Sequence, residues 1–329
     1  MRNTPHQKKM MAYGLFGAVV LAASSLWAQE SSIKPIPADV KVNQEKAALG
    51  EKLYHDPILS ADGKISCATC HQLHKGGTDR LPVSNGIKGQ RGPINSPTVF
   101  NSAHNFVQFW DGRAKDLKAQ ALGPVENPLE MGEKWPQVLD KLQEHKEYGA
   151  ALSKLYGKGF KKEDVADAIA EFERTLTTPD SRFDLFLKGK KDALTALEKQ
   201  GYELFQKKNC TLCHSGTYLG GESYQMLNPE YFTARGGKLT DADMGRYNVT
   251  KKEEDRHMFK VPMLRNVAVT APYFHDGRVR TLEEAIRLMG KYQLGEEIPA
   301  QEVRAIAAFL KTLTGTYQGV PLDKVKPRK

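Results

Sequence analysis

The chain has 329 residues, 40% of them hydrophobic and 26% charged, with a formal charge of +9. That composition excludes a disordered or collagen-like chain, and the length suggests two domains. No Lys/Arg-rich recognition stretch occurs, so the basic balance does not point to nucleic acid.

In chain order, Arg2, Lys8 and Lys9 precede an almost charge-free run from Met10 to Ala28 that ends in small residues. This is the layout of a signal peptide, placed at residues 1–28. Leu26 is large for the position three before a cut after Ala28, which leaves the cut site open. An uncleaved anchor is the alternative, because the run is long enough to span a bilayer. Processing removes three positive charges and leaves a soluble part, expected in the periplasm.

Gln44 to Tyr54 reads as an amphipathic helix, with apolar residues at helical spacing. Cys67-Ala68-Thr69-Cys70-His71 comes next. After it, Ser96-Pro97-Thr98-Val99-Phe100-Asn101 leads to Trp110-Asp111-Gly112-Arg113, and a helix is predicted over Ala114–Leu122. A further helix is predicted over Glu163–Leu176, with an apolar stripe at Val165, Ala168, Ile169, Phe172 and Leu176. Breaker residues at Thr177-Thr178-Pro179-Asp180-Ser181 follow, and the domain boundary is placed there. The order then repeats, as a duplicated unit would. A helix over Ala196–Phe205 precedes Cys210-Thr211-Leu212-Cys213-His214. Val261-Pro262-Met263-Leu264-Arg265-Asn266 leads to His275-Asp276-Gly277-Arg278. Helices over Thr281–Met289 and Val303–Leu313 close the chain. Strand signals are sparse. The expected class is mainly α: two cytochrome c-like domains in tandem, residues 29–180 and 181–329, with long irregular loops.

All four cysteines lie in the two C-x-x-C-H motifs. This is the attachment pattern of c-type haem. Two thiols add across the two vinyl groups of one porphyrin, and the adjacent histidine ligates the iron from the same side. Cys67, Cys70, Cys210 and Cys213 would carry two covalent haems, with His71 and His214 as proximal ligands. A redox dithiol or half a zinc site are the competing readings of a single C-x-x-C.

The chain resembles the bacterial di-haem cytochrome c peroxidases. The resemblance rests on both motifs, on Leu81-Pro82-Val83-Ser84 and Gly92-Pro93-Ile94-Asn95-Ser96-Pro97-Thr98-Val99, on Gln108-Phe109-Trp110-Asp111-Gly112-Arg113-Ala114 and Asn127-Pro128-Leu129-Glu130-Met131-Gly132, on Thr270-Ala271-Pro272-Tyr273-Phe274-His275-Asp276-Gly277, and on Met289-Gly290-Lys291-Tyr292-Gln293-Leu294-Gly295. It implies cytochrome-c peroxidase activity, with the haem on His71 reacting with hydrogen peroxide. The haem on His214 would accept electrons from a small donor, a monohaem cytochrome c or a cupredoxin. Met289 is implied as its sixth ligand, with Met226, Met244, Met258 and Met263 as rival sulphurs. Trp110 is implied between the haems, Glu130 over the open iron face as the acid–base group, and Gln120 near it. Calcium is implied at the domain interface, held by the side chain of Asn95 and the carbonyls of Thr270 and Pro272. The resemblance also leaves room for a homodimer.

The chain departs from the family at one place. Many members carry a histidine in the loop after Leu-Pro-Val-Ser that caps the peroxidatic iron. Here the loop reads Ser84 to Gly92, and Ile87 stands at that position. Isoleucine cannot ligate iron, so the first haem is expected to rest five-coordinate or water-bound. His74 and His104 are the possible replacements, although His74 lies only three residues beyond His71. Ile87 keeps one rival open, a related enzyme that oxidises tryptophans of a partner protein; Met289 argues against it, because that enzyme carries tyrosine there. A second rival is a non-catalytic electron shuttle, which would need neither Glu130 nor Trp110.

Overall fold

Helices dominate because apolar residues recur at helical spacing and most helix starts carry a side-chain cap. In the computed structural model the described residues are Met1 and 33–328. The signal expected over 1–28 lies, Met1 apart, outside them.

The elements are α1 (Gln44–His55), α2 (Cys67–Cys70), α3 (Leu117–Glu126), α4 (Trp135–Glu144), α5 (Lys146–Tyr156), α6 (Lys162–Arg174), α7 (Arg182–Leu187), α8 (Ala196–Lys207), α9 (Pro229–Arg235), α10 (Tyr247–Thr250), α11 (Leu282–Met289) and α12 (Ala300–Lys311). Strands are few and short. β1 (Tyr224–Met226) pairs antiparallel with β2 (Met258–Lys260), and β3 (Thr316–Tyr317) with β4 (Val320–Pro321). Among the described residues no helix is long and apolar enough to cross a membrane.

The described residues from Ile33 onward form one compact unit, within which two helical cores are distinguishable. The first gathers Leu49 and Leu53 of α1, Val125 of α3, Val138 of α4, Leu152 of α5, and Val165 and Ile169 of α6. The second gathers Phe183, Phe205, Ile286, Val303, Ile306 and Phe309 from α7, α8, α11 and α12.

The repeat seen in sequence is also a repeat in packing. A Cβ added to Gly50 of α1 would lie 1.8 Å from the Ala168 carbonyl oxygen and 2.9 Å from Phe172 Cβ. One added to Gly201 of α8 would lie 1.9 Å from the Ala305 oxygen and 2.9 Å from Phe309 Cβ. In each half, glycine lets the helix before the cysteine motif press directly onto the backbone of the last long helix. Asn101 and Asn266, equivalent by sequence, both adopt a left-handed backbone at φ 60° and 66°. Each donates its Nδ2 to the Thr178 hydroxyl at 2.8 Å, so the halves converge on one side chain.

The predicted helices form with shifted ends. The helix expected from Ala114 starts at Leu117, because the Asp116 carboxylate caps it by accepting the Ala119 amide proton at 2.7 Å. It then runs through Pro124 to Glu126. Likewise Thr281 is the N-cap of α11 rather than its first residue. The pair α4 and α5 has no counterpart between α11 and α12, where only a π-turn over Gly290–Leu294 intervenes.

Candidate active site

Each C-x-x-C-H motif forms a single tight turn that aims its histidine. In the first, the His71 amide donates to the Cys67 carbonyl at 2.9 Å, and the Tyr54 hydroxyl donates to the His71 carbonyl at 2.5 Å. His71 Nδ1 lies 3.3 Å from the Gly77 carbonyl. The second repeats this: the His214 amide donates to the Cys210 carbonyl at 2.9 Å, and His214 Nδ1 lies 3.2 Å from the Leu219 carbonyl. With Nδ1–H held by a carbonyl, Nε2 keeps its lone pair for a metal. Burial lowers the pKa of both rings and so favours the neutral, ligating form.

The four cysteines are free. Burial pushes the Cys67 thiol up to about 12, Cys70 and Cys210 up to about 11, and raises Cys213 as well. Such thiols make poor redox nucleophiles, which need an accessible thiolate. Among the described residues no group of three or more His, Cys, Asp or Glu side chains could hold a metal ion. The raised thiols speak against the redox-dithiol alternative. Two cysteines followed at once by a histidine whose Nδ1 meets a backbone carbonyl, twice over, fit covalent haem; at His71 the Ser96 hydroxyl also lies 3.5 Å from Nε2.

Glu130 lies close enough to Cys67 and Cys70 to push both thiols upward. It follows Asn127, whose Nδ2 donates to Glu130 Oε1 at 2.6 Å. Burial raises the Glu130 pKa, against the lowering effect of Asn127 and of the Arg113 charge. The loop carrying Ile87 runs directly against this segment. The buried Ile87 donates its amide to the Glu130 carbonyl at 2.8 Å. A Cβ on Gly86 would lie 2.0 Å from the Leu129 oxygen, so only glycine permits the approach. Gln120 is half-buried on α3. Of the other histidines considered, His104 is stacked on Tyr218 with ring centroids 4.3 Å apart.

Trp110 stands where the two halves meet. Its Nε1 donates to the Asn95 carbonyl at 2.9 Å. Its ring meets His275 edge-on at 6.4 Å and Phe259 at 6.5 Å. Asn95 donates its amide to the His275 carbonyl at 2.7 Å, and Lys260 donates its amide to the Trp110 carbonyl at 2.9 Å. His275 is the sequence counterpart of Trp110, and Lys260 of Asn95. The seam is thus a reciprocal exchange between equivalent segments. His275 Nε2 lies 2.7 Å from Asp243 Oδ1, and Arg235 grips Asp243 and Asp276 at 2.8 and 2.9 Å. Burial would raise the Asp243 pKa, but the His275 and Arg235 hydrogen bonds prevail and hold it well below the usual carboxylate range.

Asn95 gives both Nδ2 protons to the carbonyls of Leu81 and Pro82, at 2.9 and 3.2 Å, which leaves Oδ1 as a neutral hard oxygen of the kind calcium takes. Thr270 directly follows the 3₁₀ turn Val267–Val269, and Pro272 lies two residues beyond it. Met289 ends α11, where the chain passes into the π-turn, and packs in the same apolar cluster as Trp110. Two rival sulphurs are otherwise placed: Met244 Sδ accepts from Arg256 at 3.0 Å, and Met226 is exposed.

Sequence reasoning missed Asn127 and Arg113 as partners of Glu130, and it missed Glu173. Glu173, on α6, is buried beside Tyr54 and Cys67 with Oε2 unpartnered, and burial pushes it up to about 8. Ile169 and Leu176, four residues before it and three after it, carried the signal that this flank of α6 faces inward.

A family model described as di-haem cytochrome c peroxidase matches residues 44–192. The chain is 50% identical over 293 residues to the cytochrome c peroxidase Ccp of Escherichia coli strain K12, covering 89% of this chain and 63% of that one. It is 44% identical over 309 residues to the cytochrome c551 peroxidase of Nitrosomonas europaea, covering 94% and 91%. Among solved structures it is similar to a MauG-like protein associated with microbial copper homeostasis, with a TM-score of 0.74, 27% identity, and coverage of 87% and 95%.

Proposed function

The chain belongs to the di-haem cytochrome c peroxidase family, and from that premise we propose that it reduces hydrogen peroxide to water with electrons from a cytochrome-type donor. Two c-type haems, held through Cys67, Cys70 and His71 and through Cys210, Cys213 and His214, would supply the iron chemistry: peroxide at the first, electron acceptance at the second.

The protein's own part is proton placement and spacing. Asn127 occupies Glu130 Oε1, so Oε2 is the atom free to take the proton from the near peroxide oxygen and return it to the departing one. Without that transfer the leaving group would be hydroxide, which costs more. Burial keeps the carboxyl easier to protonate than in water, which suits a group that must accept and release within one turnover. Gln120 we assign as a neighbouring polar contact. Trp110 we assign to the electron path between the halves. Met289 is our choice of the side chain that, with His214, would hold the second haem, to which a thioether would lend a raised iron potential. Calcium would be held by Asn95 Oδ1 and the Thr270 and Pro272 carbonyls, and would stiffen the seam.

We read residues 29–180 and 181–329 as tandem haem domains, exported to the periplasm behind a signal over 1–28. The donor we expect is a monohaem cytochrome c or a cupredoxin, and a homodimer suits the reading. The observation that carries the proposal is Glu130, half-buried, tied to Asn127 and to the Ile87 loop, and close to both thiols of the first motif. The test is peroxide-dependent oxidation of reduced cytochrome c by the two-haem protein. An absence of turnover would overturn the proposal in favour of an electron shuttle.

A further inference from the structure

Lys260 closes β2 and is 8% exposed. Its Nζ meets one polar group, the neutral Asn105 Oδ1, at 3.3 Å. No described carboxylate forms an ion pair with it; the seam's acids, Asp243 and Asp276, are taken by Arg235 and His275. A buried ammonium without an anion is costly, and burial pulls this one down to about 8. The lysine therefore sits in a place arranged for a negative partner that the described residues do not provide.

The repeat says what kind of place it is. At one constant spacing, Asn95 corresponds to Lys260 and Asn105 to Thr270. Asn95 and Thr270 are the pair we assign to calcium. Lys260 and Asn105 are the same two positions with the halves exchanged. Each side of the seam thus places one positive centre, a metal ion on one side and a tethered ammonium on the other. The strand bearing Lys260 continues into the wall of the second motif. The Pro262 carbonyl, two residues on, reaches the His214 ring, and a Cβ on Gly220 would lie 2.3 Å from the Pro262 oxygen.

We propose that the Lys260 ammonium is a built-in counter-cation for a propionate of the haem carried at His214. Each haem of the two-haem reading brings two propionates, and the run from Lys260 to the Pro262 carbonyl at the His214 ring selects the second haem. The inference rests on the two-haem reading above.

The experiment is potentiometric titration of the two-haem protein and of Lys260→Gln, Lys260→Met and Lys260→Arg, following each haem by its own spectrum. Removing a positive charge favours the ferric state. Gln and Met should shift the reduction equilibrium of the second haem about tenfold toward oxidised, which is 59 mV for one electron. Arg should restore it, and the first haem should move less. Gln can keep a hydrogen bond to Asn105, so it remains informative if Met does not fold. Wild-type potentials in Lys260→Gln, equal shifts at both haems, or an Arg variant as low as Met would each overturn the proposal. A wild-type mass lacking two haems would instead overturn the cofactor reading and leave the lysine's role moot.

Discussion

Replacing Glu173 by glutamine should remove a large part of the protein's loss of stability between mildly acidic and mildly alkaline pH. Glu173 is buried without a partner for Oε2, and burial raises its pKa from 4.5 to about 8. The folded state therefore binds a proton more tightly than the unfolded chain. The stabilisation is fully present below 4.5 and is lost as pH rises toward 8. At about 1.4 kcal/mol per pH unit the whole shift corresponds to something on the order of 5 kcal/mol. That is comparable with the entire stability of many domains, roughly 5–15 kcal/mol. Glutamine has the same shape and no proton to lose. The two proteins should match near pH 4.5, and the variant should pull ahead as pH rises. Leu310, the residue at the equivalent position of α12, is buried and apolar, so the site tolerates a neutral side chain in the other half. Guanidinium unfolding of the two-haem proteins, followed by far-ultraviolet circular dichroism at several pH values, measures the difference. Thioether formation at Cys67 leaves the argument intact, because desolvation is the largest cause of the shift. Parallel pH profiles for the two proteins would refute the reasoning.

Three other outcomes are expected. Glu130→Gln should retain both haems but lose about 10²–10⁴ in peroxidase turnover. The wild-type rate should fall as pH drops through a pKa raised above the ordinary carboxyl value, a limb the variant lacks; near-normal steady-state rates would remove Glu130 from the mechanism. The fully oxidised, calcium-loaded protein should show high-spin haem by electron paramagnetic resonance, because Ile87 offers no ligating atom, while Ile87→His should become low-spin and need prior reduction to react. A purely low-spin wild-type spectrum would defeat this. Gly201→Ala should destabilise the second half at or above the upper end of about 1–3 kcal/mol, since its Cβ would meet the Ala305 carbonyl of α12. Thermal unfolding of the variant measures it, and an unchanged midpoint would deny that the α8–α12 contact needs glycine.

Much of this was legible in the amino-acid order. The motifs, the paired helices and the Ile87 departure are local patterns, and short-range spacing encodes them. The α6 stripe was read correctly at Val165, Ile169 and Phe172. Glu173 escaped because a carboxylate beside an apolar stripe normally marks the solvent side, whereas here α1 and the first motif cover that flank too. The insertion α4–α5 escaped because repeat logic reveals only what occurs twice. The seam was invisible for a different reason. Its crossed amide bonds join segments far apart in sequence, and backbone atoms leave no compositional trace. Arg113 appeared only as part of a motif; its effect on Glu130 emerges once the intervening chain folds back.

The crossed amide bonds at the seam bear on how duplicated copies can diverge. Asn95 joins His275, and Lys260 joins Trp110, through atoms that every residue but proline possesses. These crossed bonds are therefore indifferent to side-chain identity at the four positions, even though the Trp110 ring also packs across the seam. An ancestral pair could exchange tryptophan for histidine, or amide for ammonium, on one copy at a time without losing its mate. Such freedom lets twin scaffolds take up different trades, as the proposed split between an oxidant-handling half and a charge-receiving half requires.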